Sequence, residues 1–139
     1  MERRRVLVID NEDDARRLCE EILTGEGYEV YFAADTSSGL EMVKNLKPHM
    51  VIMDLHLPEI NGIEGLRRIK NLKEETLTIL VTSRGTMDTV KEAMRHGAYD
   101  YITKPFDIEL MKEVINEGLK TAPKPPRLKA ASKQYKQMR

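Results

Sequence analysis

Residues 50–58 read Met50-Val51-Ile52-Met53-Asp54-Leu55-His56-Leu57-Pro58. A short apolar run of this kind reads as a strand buried on both faces. An acid closes it. The next helical pattern starts only near Ile63, too far along for Asp54 to be its N-cap. Asp54 is therefore expected at the C-terminal end of a buried strand, where its side chain is left for chemistry.

The pattern repeats on both sides. Before it, Arg5 to Ile9 is a first strand. Asp13 to Leu23 then places Ala15, Leu18, Cys19 and Ile22 on one helical face, and Gly25 and Gly27 stop that helix. Tyr28 to Phe32 is a second strand and Thr36 to Leu46 a second helix, with Pro48 just beyond its end. After Met50–Met53, a third helix spans Ile63 to Leu72 and a fourth strand Leu77 to Val81. Thr86 to His96 follows as a helix closed by Gly97, then Tyr99 to Ile102 as a strand and Asp107 to Leu119 as a helix. Strict strand–helix alternation predicts an α/β fold, a parallel sheet with helices on both faces. Alternation does not set the strand order, but it places a binding site beyond the C-terminal strand ends.

Charge divides the chain. Residues 121–139 hold six Lys/Arg and no acid, so residues 1–120 carry an excess of six acids. Pro123, Pro125 and Pro126 interrupt the pattern. Residues 1–120 are expected to form one domain and 121–139 a basic, proline-containing linker or tail. Within that tail Leu128, Ala131, Tyr135 and Met138 have roughly helical spacing. The acidic domain is not expected to bind nucleic acid directly. Cys19 is the single cysteine, which rules out an intrachain disulfide and suits a reducing compartment. Cys19 and the scattered methionines, such as Met42, Met53 and Met94, are read as core. No apolar run approaches the roughly 20 residues a membrane span needs. The run after Arg3–Arg5 is too short for a signal peptide. A cytoplasmic protein with no membrane association is expected.

Four strand ends carry reactive groups. Asp10-Asn11-Glu12-Asp13-Asp14 follows the first, Asp54 the third, Thr82-Ser83 the fourth and Thr103-Lys104-Pro105 the fifth. Strand ends facing solvent are often polar, so any one of these alone says little. Together, carboxyls, a hydroxyl and an amine meet at one sheet edge. An aspartate beside a lysine and a cation site is suited to act as a nucleophile toward phosphorus.

These segments, Val-Leu-Val-Ile-Asp10, Met-Asp54-Leu-His-Leu-Pro58, Val-Thr82-Ser and Gly-Ala-Tyr-Asp-Tyr-Ile-Thr-Lys104-Pro-Phe, resemble the receiver domains of two-component response regulators over about residues 4–120. Residues 97–107 most resemble receivers that precede sigma-54-dependent activator ATPases, which implies a place in transcription regulation. No Walker-type phosphate loop is present in this sequence. The resemblance implies a flavodoxin-like (βα)5 fold, doubly wound, with five parallel strands. It implies a regulatory phosphoacceptor that assists its own phosphorylation and dephosphorylation rather than an enzyme. Asp54 would take a phosphoryl group from a sensor histidine kinase or phosphotransfer protein. Asp10, Asn11, Asp54 and the His56 carbonyl would surround Mg²⁺. Thr82 and Lys104 would hold phosphoryl oxygens, and Tyr101 would be the switch aromatic, drawn inward on activation. His56 and Arg84, each two residues past a site residue, would tune the lifetime of the phosphoryl group. The face of the fourth helix, fifth strand and fifth helix would carry a homodimer. The Lys104–Pro105 bond would be cis.

One departure stands out: Asn11 lies where the family usually has a second acid. At about 4 Å and an effective permittivity of about 20, a unit charge pair is worth roughly 4 kcal/mol before desolvation. Glu12, Asp13 and solvent could offset part of that loss. Asn11 is the sole support for a different class of function, a pseudo-receiver that binds proteins without being phosphorylated. A haloacid-dehalogenase-like phosphatase would need Asp-x-Asp, and here the site reads Asp54-Leu55-His56.

Overall fold

The computed structural model describes residues 3–120. Its elements alternate as expected: β1 Arg5–Ile9, α1 Asp13–Gly25, β2 Glu29–Ala33, α2 Thr36–Leu46, β3 Met50–Asp54, α3 Gly62–Leu72, β4 Leu77–Thr82, α4 Met87–Arg95, β5 Asp100–Thr103 and α5 Ile108–Lys120. The five strands pair in parallel in the order β2-β1-β3-β4-β5. The chain winds outward from β1 to β2, then crosses back to β3. The reversal puts a crevice between the C-terminal ends of β1 and β3, where a doubly wound sheet binds its ligands.

Period-two alternation builds the two faces. Val6 and Val8 of β1 join α1 and α5 through Leu23, Met111 and Val114. Leu7 and Ile9 point the other way, toward α2, α3 and α4, packing with Val43, Leu66 and Val90. The β3 strand is buried throughout, which is why its sequence is apolar without alternation. Cys19 lies in the core of the α1–α5 face. Burial pushes its thiol up to about 12, so it stays an unreactive thiol.

Helix ends differ from the sequence reading by a residue or two. The first helix runs on to Gly25, and the chain turns at Gly27, whose φ of +89° favours glycine. The third begins at Gly62, capped by Asn61, whose side chain accepts from Glu64 N. Gly62 is there because nothing larger fits: an added Cβ would lie 2.7 Å from Leu55 Cα and 3.1 Å from the Asp54 carbonyl oxygen. That contact seats α3 directly behind the end of β3.

The tail's helical pattern at Leu128, Ala131, Tyr135 and Met138 lies outside the described residues.

Candidate functional site

The strand ends converge as their sequence predicts. Asp10 follows β1 and is held there by Asp10 N donating to Ala33 O at 3.0 Å. Its Oδ1 accepts from Glu12 N at 2.9 Å, a tight local turn that leaves Oδ2 directed inward. Asp54 is the last residue of β3, and its Oδ1 accepts from His56 N at 2.8 Å. Leu55 N donates to Val81 O at 2.7 Å, tying this loop to β4. Lys104 follows β5; its backbone N donates to Thr82 O at 2.7 Å, and the Lys104–Pro105 peptide is cis.

The ammonium of Lys104 lies at the centre. Nζ is 2.7 Å from Asp54 Oδ2, 2.8 Å from Asp10 Oδ2 and 2.8 Å from Glu12 Oε1. An ammonium has three donors, and three carboxylates take them. Asp10 and Asp54 are buried, whereas Glu12 is exposed. Burial raises the Asp10 carboxyl above the usual carboxylate range, against the pull of Lys104 and the Glu12 N–H. Burial alone would lower the Lys104 ammonium; hydrogen bonds to the three acids outweigh it and hold the group above its ordinary value. Lys104 is therefore a fixed cation at neutral pH.

Ligating oxygens of Asp10, Glu12 and Asp54 all lie within 4.8 Å of one another. Three carboxyls against one ammonium leave the pocket negative. An all-oxygen donor set of that charge fits a hard divalent cation and is unsuited to a soft one.

Thr82 ends β4 fully buried, its Oγ1 accepting from Arg84 N at 3.0 Å. The hydroxyl proton stays available to donate. His56 and Arg84 are exposed, and their backbone N–H groups bond the side chains of Asp54 and Thr82. Asn11 is exposed in the bend between β1 and α1. Tyr101 was expected to move inward on activation, but its ring is already fully buried, with its hydroxyl 2.8 Å from Thr89 Oγ1 in α4.

Two contributors were under-read. The sequence places Glu12 in the acidic run after β1 and as a compensator for Asn11; the structure makes it a direct partner of Lys104. Arg16, not singled out at all, donates to the Asp10 carbonyl and to Asp13 Oδ1, bracing the loop that carries the acids. Its one sequence signal is its place a helical turn after Glu12, where Arg16 N donates to Glu12 O at 3.1 Å.

Comparison with known proteins places this arrangement in a class. Residues 6–116 match the model of the response regulator receiver domain. The chain is 36% identical over 117 residues to the chemotaxis protein CheY of Thermotoga maritima, covering 82% of this chain and 96% of that protein. It is 32% identical over 115 residues to the regulatory protein AtoC of Escherichia coli, covering 83% of this chain but a quarter of AtoC. The solution structure of the beryllofluoride-activated NtrC4 receiver domain dimer superposes with a TM-score of 0.80 at 28% identity, covering 84% of this chain and 96% of that one. The chain belongs to the response regulator receiver family, and its sheet and helices are those of the flavodoxin-like receivers.

Proposed function

We propose that this receiver domain is a phosphorylatable switch that takes a phosphoryl group onto Asp54 from the phosphohistidine of a sensor kinase or phosphotransfer protein, with Mg²⁺. The observation that carries the reading is the meeting of Asp10, Asp54 and Lys104 at the ends of three different strands, with Thr82 at the end of a fourth. A core packed without function has no use for that convergence.

An Asp54 carboxylate oxygen forms the new P–O bond as the P–N bond to the donor imidazole breaks, its electron pair leaving with that nitrogen. The transition state spreads negative charge over the equatorial oxygens, so its stabilisation is mostly positioning and charge. Lys104 supplies a fixed positive charge. Thr82 supplies a hydroxyl donor. Asp10, Asp54, the His56 carbonyl and an oxygen from residue 11 or 12 would hold Mg²⁺, which when bound neutralises charge on the phosphoryl group. These same groups are what would let the domain assist its own phosphorylation and dephosphorylation. His56 and Arg84, both exposed and each two residues past a site residue, would tune water access.

The inward Tyr101, bonded to Thr89 of α4, would link the readout face to the pocket. A state already present is then favoured by phosphorylation rather than created by it. The α4–β5–α5 face is the surface proposed for a homodimer, a reading supported by the dimeric state of the activated NtrC4 receiver. Residues 1–120 would be the receiver and 121–139 a linker. No helix among the described residues is long and apolar enough to cross a membrane, in line with a cytoplasmic site of action.

Incubation with acetyl phosphate or phosphoramidate and millimolar Mg²⁺ tests the reading. Intact mass should show one added phosphoryl group, absent in Asp54→Ala. A wild-type protein that stays unmodified would instead be a phosphorylation-independent binding module.

A further inference from the structure

The proposed cation site lacks an acid at position 11, and the structure indicates what replaces it. Glu12 is the N-cap of α1, with φ −96° and ψ 121°, but its side chain makes no capping hydrogen bond. It turns instead toward the pocket, where Oε1 lies 2.8 Å from Lys104 Nζ and within reach of the Asp10 and Asp54 carboxylates. Asn11 is exposed and offers a neutral amide.

The three acceptors on Lys104 are not equivalent. Asp10 and Asp54 sit at strand ends, with side chains 2% and 7% exposed, and each has its second oxygen bound to a backbone N–H. Glu12 has a side chain 59% exposed and one more rotatable bond. An incoming cation competes with the ammonium for these oxygens. The carboxylate that can leave Lys104 most cheaply is the exposed, flexible one.

Resting on the reading that a divalent cation binds beside Asp54, we propose that Glu12, not Asn11, supplies the remaining acidic ligand, and that it does so by leaving Lys104. Cation binding thereby frees one ammonium N–H, and that donor becomes available to a phosphoryl oxygen. Glu12 thus links occupancy of the cation site to readiness of Lys104.

Mn²⁺ binding without any phosphodonor, followed by calorimetry and by the EPR signal of the free ion, separates the possibilities. Glu12→Gln should weaken binding about ten-fold, as expected for loss of a charged oxygen ligand, while Asn11→Ala changes it by less than about two-fold. Adding Asn11→Asp to Glu12→Gln should restore most of the affinity. The side-chain ammonium resonance of Lys104 should shift with metal in the wild type and lose most of that shift in Glu12→Gln. If Glu12→Gln binds like the wild type, or Asn11→Ala weakens binding more than Glu12→Gln does, the inference is overturned. An affinity that Asp54→Asn leaves unchanged would overturn the underlying site, and this inference with it.

Discussion

At the edge where the strands begin, polar side chains meet backbone groups; at the edge where they end, three carboxyls meet one ammonium. Arg5 opens β1 and donates Nε to Leu46 O at 2.9 Å and Nη2 to Lys47 O at 3.0 Å, closing the end of α2. His49 Nδ1 accepts from Arg5 N at 3.0 Å. Thr76 donates Oγ1 to Pro48 O at 3.1 Å, and Lys70 donates to the carbonyls of Glu74 and Thr76. A cavity opens there too, lined by Arg4, Lys47, His49 and Lys73 among others. Beside it, the side chains of Arg5, Lys70 and Thr76 donate to backbone carbonyls. The C-terminal edge is the one with acceptor charge in excess of its donors. The contrast teaches that carboxyls gathered and buried around one ammonium, rather than concavity or polarity, mark where this fold does chemistry.

The strongest way to break the contrast is to remove the single cation. Lys104→Ala leaves three acids facing one another, two of them buried. Urea denaturation without divalent ions should show a loss of about 3 kcal/mol, the scale of breaking a buried ion pair. The variant should still accept some phosphoryl group, but amide exchange across residues 82–106 should no longer respond to it. At the opposite edge, Arg5→Ala removes two hydrogen bonds to carbonyls and should cost about 1–2 kcal/mol. Its rate of modification by phosphoramidate should match the wild type. If Arg5→Ala proved as damaging to phosphorylation as Lys104→Ala, the division between the edges would collapse.

Asp10 sharpens the comparison through pH. Its folded pKa is raised by burial, so the folded state keeps a proton the unfolded chain gives up. That contribution to stability is complete below the ordinary carboxylate pKa and is lost as pH rises through the raised value. Denaturation midpoints followed upward from the ordinary carboxylate range should fall less steeply in Asp10→Asn than in the wild type. Equal slopes would mean that Asp10 is not the group holding the proton. The smallest effect is expected between the edges. Thr78 Oγ1 in β4 is a buried polar atom with no hydrogen-bond partner. Thr78→Val should therefore gain up to about 1 kcal/mol and leave phosphorylation untouched.

The strands and their terminal residues were legible because each buried strand is a short apolar run that stops at a polar residue: Ile9 before Asp10, Met53 before Asp54, Val81 before Thr82. The order β2-β1-β3-β4-β5 is not readable from alternation, since parallel pairing leaves no local signature in the strands; the resemblance implies only a flavodoxin-like doubly wound sheet, and the strand pairing of the structure gives the order. Gly62 as the start of α3 was missed because its reason is a contact with the Asp54 carbonyl, which no periodicity displays. Glu12 was underweighted because a glutamate at a helix start reads as solvated. Its direction became clear once Lys104, 92 residues away, was in place. Tyr101 is legible as the aromatic three residues before Lys104, but its inward position depends on Thr89 across the α4–β5 contact, again a tertiary fact.

The proposed function requires Asp54 itself to carry the phosphoryl group. After modification with phosphoramidate and Mg²⁺, borohydride reduces an acyl phosphate to the corresponding alcohol, leaving homoserine where the phosphoaspartate stood. Peptide mass spectrometry then locates it. Homoserine is expected at position 54 alone, with Asp10 intact. Homoserine at position 10, or no converted aspartate in a protein that has gained a phosphoryl group, would contradict it.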